Sequence, residues 1–134
     1  METKRERAEQ LRYEAETERK LHRGGPEAIM LYQQAVASFR EVDSPLALAH
    51  TVRHLGDVYI EGGRPDLAEP CFQEALALYR GHSETAPLDL ANAIRSMALL
   101  RDSPELWMEA RDIYRSLGIE AGVAESLAHL ANSK

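Results

Sequence analysis

The feature that most restricts how this chain can fold is an internal repeat of two alternating helical patterns. One pattern occurs as "YQQAVASFR" (Tyr32, Ala35, Phe39, Arg40), "FQEALALYR" (Phe72, Ala75, Tyr79, Arg80) and "WMEARDIYR" (Trp107, Ala110, Tyr114, Arg115). The other alternates with it as "LAHTVRHLG" from Leu48, "LANAIRSMA" from Leu90 and "VAESLAHLA" from Val123. The spacing between copies varies, so the repeating unit is a helix pair joined by loops of unequal length. A helix pair of this kind buries its apolar face only by stacking on its neighbours, which makes the expected architecture an α-solenoid.

Proline and glycine mark where these helices begin and end. Pro26, Pro45, Pro65, Pro87 and Pro104 each stand where a helix would start, a position at which proline forfeits no hydrogen bond and its φ is already helical. Ser44 and Ser103 precede two of them as N-caps. Gly24-Gly25, Gly62-Gly63, Gly81 and Gly118 follow helical runs as terminators. The predicted helices cover 3–22, 26–41, 45–61, 65–80, 87–101, 104–116 and 120–132. Pro70 is the exception, because it falls inside the 65–80 helix, and it predicts a distorted first turn over 65–69 with regular helix resuming near Pro70.

Composition agrees with an all-α chain. The sequence has 134 residues, 44% hydrophobic and 28% charged, and its apolar content leans on alanine and leucine rather than on β-branched or aromatic residues. The length suits a single domain, 1–134, with pairs at about 3–41, 45–80 and 87–116 and a final helix at 120–132. A net charge of −6 argues against nucleic acid as a partner. No apolar run approaches the length of a membrane span, and the charged N-terminus does not read as a signal peptide. The one cysteine, Cys71, has no disulfide partner and reads as a small buried residue; the chain is expected in the cytoplasm.

Within the 45–80 repeat, Leu55-Gly56, Tyr59, Ala68, Phe72 and Ala75 follow the order L-G-x2-Y, then A-x3-F-x2-A. In this the chain resembles the tetratricopeptide-repeat family over about residues 8–132. The later repeats keep Ala98, Trp107 and Ala110 but carry Arg101 where the tyrosine would stand. The phrases "YRSLGIEAGVAESLAHLA" and "FREVDSPLALAHTVRHLG" are similar to repeats of bacterial regulatory and signalling proteins. The resemblance implies a right-handed α-solenoid of about three pairs, capped by the last helix with its Asn132-Ser133-Lys134 end and by the charged first helix, where Arg12/Glu16 and Glu16/Lys20 are spaced to pair. It also implies that small residues at Gly56, Ala98 and Ala131 let helix backbones approach closely.

The same resemblance implies a non-enzymatic interaction scaffold that holds a partner peptide or protein segment on its concave face. The groove positions would be His50, Arg53, His54 and Asp57, then Asn92, Arg95 and Ser96, then Glu125, His129 and Asn132. Arg53 and Arg95 are equivalent, with Arg12 extending the row in one register. Their planar guanidinium forks suit a carboxylate, unless Asp57 and other acids already pair with them. Only Asn92 and the two arginines match the carboxylate clamp of chaperone-binding members, so a chaperone tail is not the expected ligand.

Two readings from other classes stand beside this one. Leu127, Leu130 and Ala131 at an array end could pair across a two-fold axis, giving a homodimer. His50 and His54, four apart on one helical face, could bind a small molecule or, with His129, a metal. No glutamate follows His50, so the metalloprotease motif is lacking, and the expectation is no metal and no cofactor. No glycine-rich phosphate loop and no Ser/His/Asp arrangement is legible, so no catalysis is expected.

Overall fold

A computed structural model describes residues 1–132; Ser133 and Lys134, part of the expected C-terminal cap, lie outside the described residues. Those residues form seven helices: α1 (Lys4–Leu21), α2 (Pro26–Arg40), α3 (Pro45–Glu61), α4 (Pro65–Arg80), α5 (Pro87–Arg101), α6 (Pro104–Leu117) and α7 (Glu120–Asn132). They fall into two compact units, residues 1–78 and residues 79 onward.

In the first unit α2 packs against both α1 and α3. Although α1 is mostly charged, Ala8, Leu11 and Ala15 recur at helical spacing and are buried against α2. Its start is secured by a reciprocal capping box: the Glu6 N–H donates to Thr3 Oγ1 at 3.0 Å, and the Thr3 N–H donates to the Glu6 carboxylate at 2.9 Å. Tyr32, Phe39, Val52, Val58 and Phe72 fill the interior, interleaved with Ala28, Ala35, Ala49, Ala68 and Ala75, all fully buried. Alternating large and small residues in this way lets facing helix surfaces interdigitate without voids.

Two glycines are required by close approach. Gly56 sits under the Phe72 ring, and a Cβ there would overlap the ring carbons. Gly24 adopts φ +69°, and a Cβ on it would come within 2.5 Å of the Glu61 carbonyl carbon, so the α1–α2 turn is seated on the α3–α4 turn. Ion pairs reinforce the same corner. Glu61 accepts from Arg19 Nε at 3.1 Å on each carboxylate oxygen, from Arg19 Nη2 at 2.6 Å, and from Arg23 Nη1 at 2.8 Å.

In the second unit α6 packs against α5 and α7. Trp107 is 1% exposed, and Ile94, Met97, Ala98, Ala110 and Tyr114 are buried with it. A Cβ on Gly122 would overlap the Tyr114 ring, so α7 approaches α6 closely at that point.

The helix boundaries agree with the proline and glycine punctuation to within one residue, but three local expectations are corrected. α4 is continuous helix through Pro70 rather than distorted over 65–69. The carbonyl that loses its donor belongs to Asp66, which is exposed along with Pro70, so water can take the place of the missing N–H. Ser44 occupies the N-cap of α3 without making a side-chain cap bond; its hydroxyl accepts from Arg5 Nη1 at 3.1 Å instead. Ser103 does cap α6, accepting from the Leu106 N–H at 3.3 Å. α5 ends without a glycine, and Asp102 takes the left-handed conformation at φ 50°. Finally, Arg12 does not pair with Glu16, since its guanidinium lies 5.2 Å above the Phe39 ring centroid.

The second helices of the pairs share one further device. Arg40, at the end of α2, donates through both terminal nitrogens to Glu74 of α4, at 2.6 and 2.8 Å. In the second unit Arg80, at the end of α4, does the same to Glu109 of α6, at 2.7 Å twice. Each bidentate bond stabilises its arginine's charged form and holds the glutamate below the usual carboxylate range.

Candidate partner-binding face

In the first unit the candidate residues gather on the sides of α1 and α3. Arg53 is 11% exposed; its Nη1 lies 3.8 Å from Asp57, and its Nε–H is buried without an acceptor. Among the described residues Arg12 makes no ion pair, and its guanidinium lies over the Phe39 ring. The hydroxyl of Tyr32 is likewise buried and unpartnered, and burial pushes its pKa up. His54 lies at the centre of this group. It stacks on Tyr32 with 6.3 Å between ring centroids, meets His50 edge-on at 4.4 Å, and accepts at Nδ1 from Arg19 Nη1 at 3.2 Å. Asp57 Oδ2 is 3.8 Å from the same nitrogen.

Burial, followed by the positive charges of Arg53, His50, Arg19 and Arg12, pushes the His54 pKa down to about 3. The imidazole is therefore neutral near pH 7, and the unfolded chain binds a proton there that the folded chain refuses. Because the folded pKa is the lower one, the stability this represents is present above about pH 6.5 and lost as pH falls toward 3. Between pH 7 and 5, above the carboxylate range, the expected loss is about 2 kcal/mol. Urea unfolding at pH 7, 6 and 5 should show it, while His54→Gln, which still accepts from Arg19, should flatten the profile. A native protein equally stable at pH 7 and pH 5 would refute the assignment.

In the second unit Arg95 is committed to Glu125 of α7, donating from Nε at 2.5 Å and from Nη2 at 2.9 Å, and Glu125 is held below its ordinary pKa as a result. Asn92 Oδ1 accepts from the Tyr114 hydroxyl at 2.6 Å. Ser96 is 8% exposed and donates its hydroxyl to the Asn92 carbonyl oxygen at 3.1 Å, so it offers little to a partner. His129 stacks flat on Trp107, at 4.1 Å and 6°. Asn132 is exposed at the end of α7. Leu88, Asn92, Arg95, Tyr114, Gly122 and Glu125 line an open cleft on this side of α5 and α7.

The repeat-signature residues Leu55, Gly56, Tyr59, Ala68, Phe72, Ala75, Ala98, Trp107 and Ala110 all lie in the core. Among the described residues no three His, Cys, Asp or Glu side chains are placed to hold a metal. His54 Nδ1 is already occupied by Arg19, and the face of the His129 ring is covered by Trp107. The Cys71 thiol is half-buried rather than fully so and points to the Leu67 carbonyl; burial pushes its pKa up to about 11, far from a reactive thiolate. Among the described residues no helix is long and apolar enough to cross a membrane.

Sequence reasoning missed Glu61 as the acceptor for Arg19 and Arg23. No local pattern marks it, because its partners stand about forty positions earlier in the chain.

A comparison with curated proteins finds no match. The family model for the tetratricopeptide repeat matches residues 8–81, more than half of the sequence and the part that carries the Leu55-Gly56 to Ala75 signature. With that match and seven helices in succession along the described residues, the chain belongs to the tetratricopeptide-repeat family, whose domains are generally protein-interaction modules and typically non-catalytic.

Proposed function

We propose that this protein is a non-enzymatic scaffold that binds a partner peptide or protein segment through the arginine-bearing side of its first helices. The observation that carries the reading is the unspent hydrogen-bonding capacity on α1 and α3. Among the described residues Arg12 has no carboxylate, Arg53 keeps a buried Nε–H without an acceptor and has only Asp57 at 3.8 Å, and Arg19 is matched by Glu61. Leaving the Arg53 Nε–H buried and unpaired costs about 1–3 kcal/mol, a cost an incoming carboxylate would remove. In the second unit Arg95 meets that need internally through Glu125, so the proposed contacts centre on Arg12 and Arg53 with His50 beside them. The similarity to repeats of bacterial regulatory proteins favours a signalling partner.

Affinity capture from cells that natively express the protein, followed by mass spectrometry, supplies the partner for the test. Arg12→Ala combined with Arg53→Ala should weaken that partner's affinity at least tenfold, as expected for losing two charge-assisted hydrogen bonds of about 1.5–3 kcal/mol. Unchanged affinity in the folded double variant would move the site elsewhere.

A further inference from the structure

α7 carries a stripe that two other helices bury and that it exposes. Ala49, Val52 and Gly56 of α3 are buried, as are Ala91, Ile94 and Ala98 of α5. The equivalent residues of α7 are Ala124, Leu127 and Ala131, all exposed, with Leu127 at 44%. The opposite side of α7 is packed normally, since Ser126 is fully buried like its counterpart Thr51. Val123, Ala124 and Leu127 form an open apolar cleft with Gly118 and Arg115, rimmed by Glu120.

Arg115 tells what should fill that cleft. It is the third of the arginines that end the second helices, after Arg40 and Arg80, and those two each grip a glutamate on the next second helix. Arg115 is exposed and has no carboxylate partner among the described residues. The glutamates it lacks occur in one setting: Phe72-x-Glu74-Ala75 and Trp107-x-Glu109-Ala110. In both, the aromatic and the alanine are buried while the glutamate reaches out to the arginine.

We propose that the outer face of α7, with Arg115 beside it, docks an amphipathic helix of a partner protein bearing the pattern aromatic-x-Glu-small. The alanines admit the partner backbone closely, Leu127 packs beside the aromatic, and Arg115 receives the glutamate in a bidentate bond. A second copy of this chain is the poorer occupant. Its own aromatic-x-Glu-Ala segments are buried in α4 and α6, and the corresponding place in α2 carries Gln34 instead of glutamate. This surface is separate from Arg12 and Arg53, and the proposal does not depend on what binds there.

The probe is a stapled, fluorescein-labelled 14-residue helix with the sequence of residues 104–117, titrated with the full chain and followed by fluorescence anisotropy. Saturable one-to-one binding is expected. Leu127→Asp, which would bury an unpaired charge, should weaken it at least about tenfold. Arg115→Glu should weaken it about fivefold, the upper range for an exposed ion pair. A peptide with arginine in place of the glutamate should recover affinity for the Arg115→Glu protein. Both positions are exposed, so circular dichroism of the variants should match the native chain. The proposal is overturned by no saturation at about millimolar peptide, by binding indifferent to Leu127→Asp, or by a dimer in light scattering that Leu127→Asp converts to monomer, which would make a second copy the occupant.

Discussion

Gly56→Val should destabilise the protein by about 3 kcal/mol or more in urea unfolding followed by circular dichroism. The position lies in the middle of α3, where glycine costs a helix roughly 1 kcal/mol relative to alanine, so on local grounds any replacement ought to help. Tertiary packing reverses the sign. Even one added carbon would overlap the Phe72 ring, and that ring is itself buried, at 3% exposed. Overpacking of this kind costs typically 1–3 kcal/mol, and valine adds two further methyl groups to the same spot. Gly56→Ala should therefore also lose stability, by about 1 kcal/mol net. Adding Phe72→Leu in the Gly56→Ala background should recover part of the loss, because the smaller side chain vacates the space the new methyl needs. A Gly56→Val protein within about 1 kcal/mol of the native one would show that α3 and α4 can separate without penalty.

Trp107→Ala should cost about 3–5 kcal/mol, a large share of the total stability of a chain this size. Trp107 is the largest fully buried side chain and also the platform on which the His129 ring stacks at 4.1 Å, so its removal empties the space between α6 and α7. Trp107→Phe should cost far less, about 1 kcal/mol. The indole Nε1–H is buried without an acceptor, and phenylalanine removes that unsatisfied donor while keeping most of the apolar ring. The contrast between the two variants is the diagnostic. If Phe proved as damaging as Ala, the indole nitrogen would have to be making a bond that matters.

Both predictions, like the Arg115 proposal, depend on reading the repeat at two levels. The sequence-level pattern says that positions 56, 98 and 131 are small and that Arg40, Arg80 and Arg115 recur. It does not say which of the small residues are covered. Gly56 and Ala98 are buried and Ala131 is exposed, a difference that arises from what packs on each helix rather than from the helix's own residues. The arginines divide in the same way. Arg53 and Arg95 stand at equivalent positions, yet Arg95 forms a bidentate pair with Glu125 while Arg53 keeps an unmatched donor.

What the sequence determined by itself was everything governed by neighbours along the chain. Five prolines at helix starts and glycines at Gly62-Gly63 and Gly118 set the helix limits, because φ restriction and left-handed backbone act within a turn or two. The aromatic and alanine spacing named the family for the same reason, since it repeats at a fixed helical period. Tertiary structure alone decided the rest. It placed Glu61 under Arg19 and Arg23, kept His54 neutral inside a ring of cations, tolerated Pro70 by leaving Asp66 in water, and left the outer stripe of α7 exposed. Each of these depends on which distant surface a side chain meets. Burial and ion pairing are set by proximity in space, about which local periodicity carries no information.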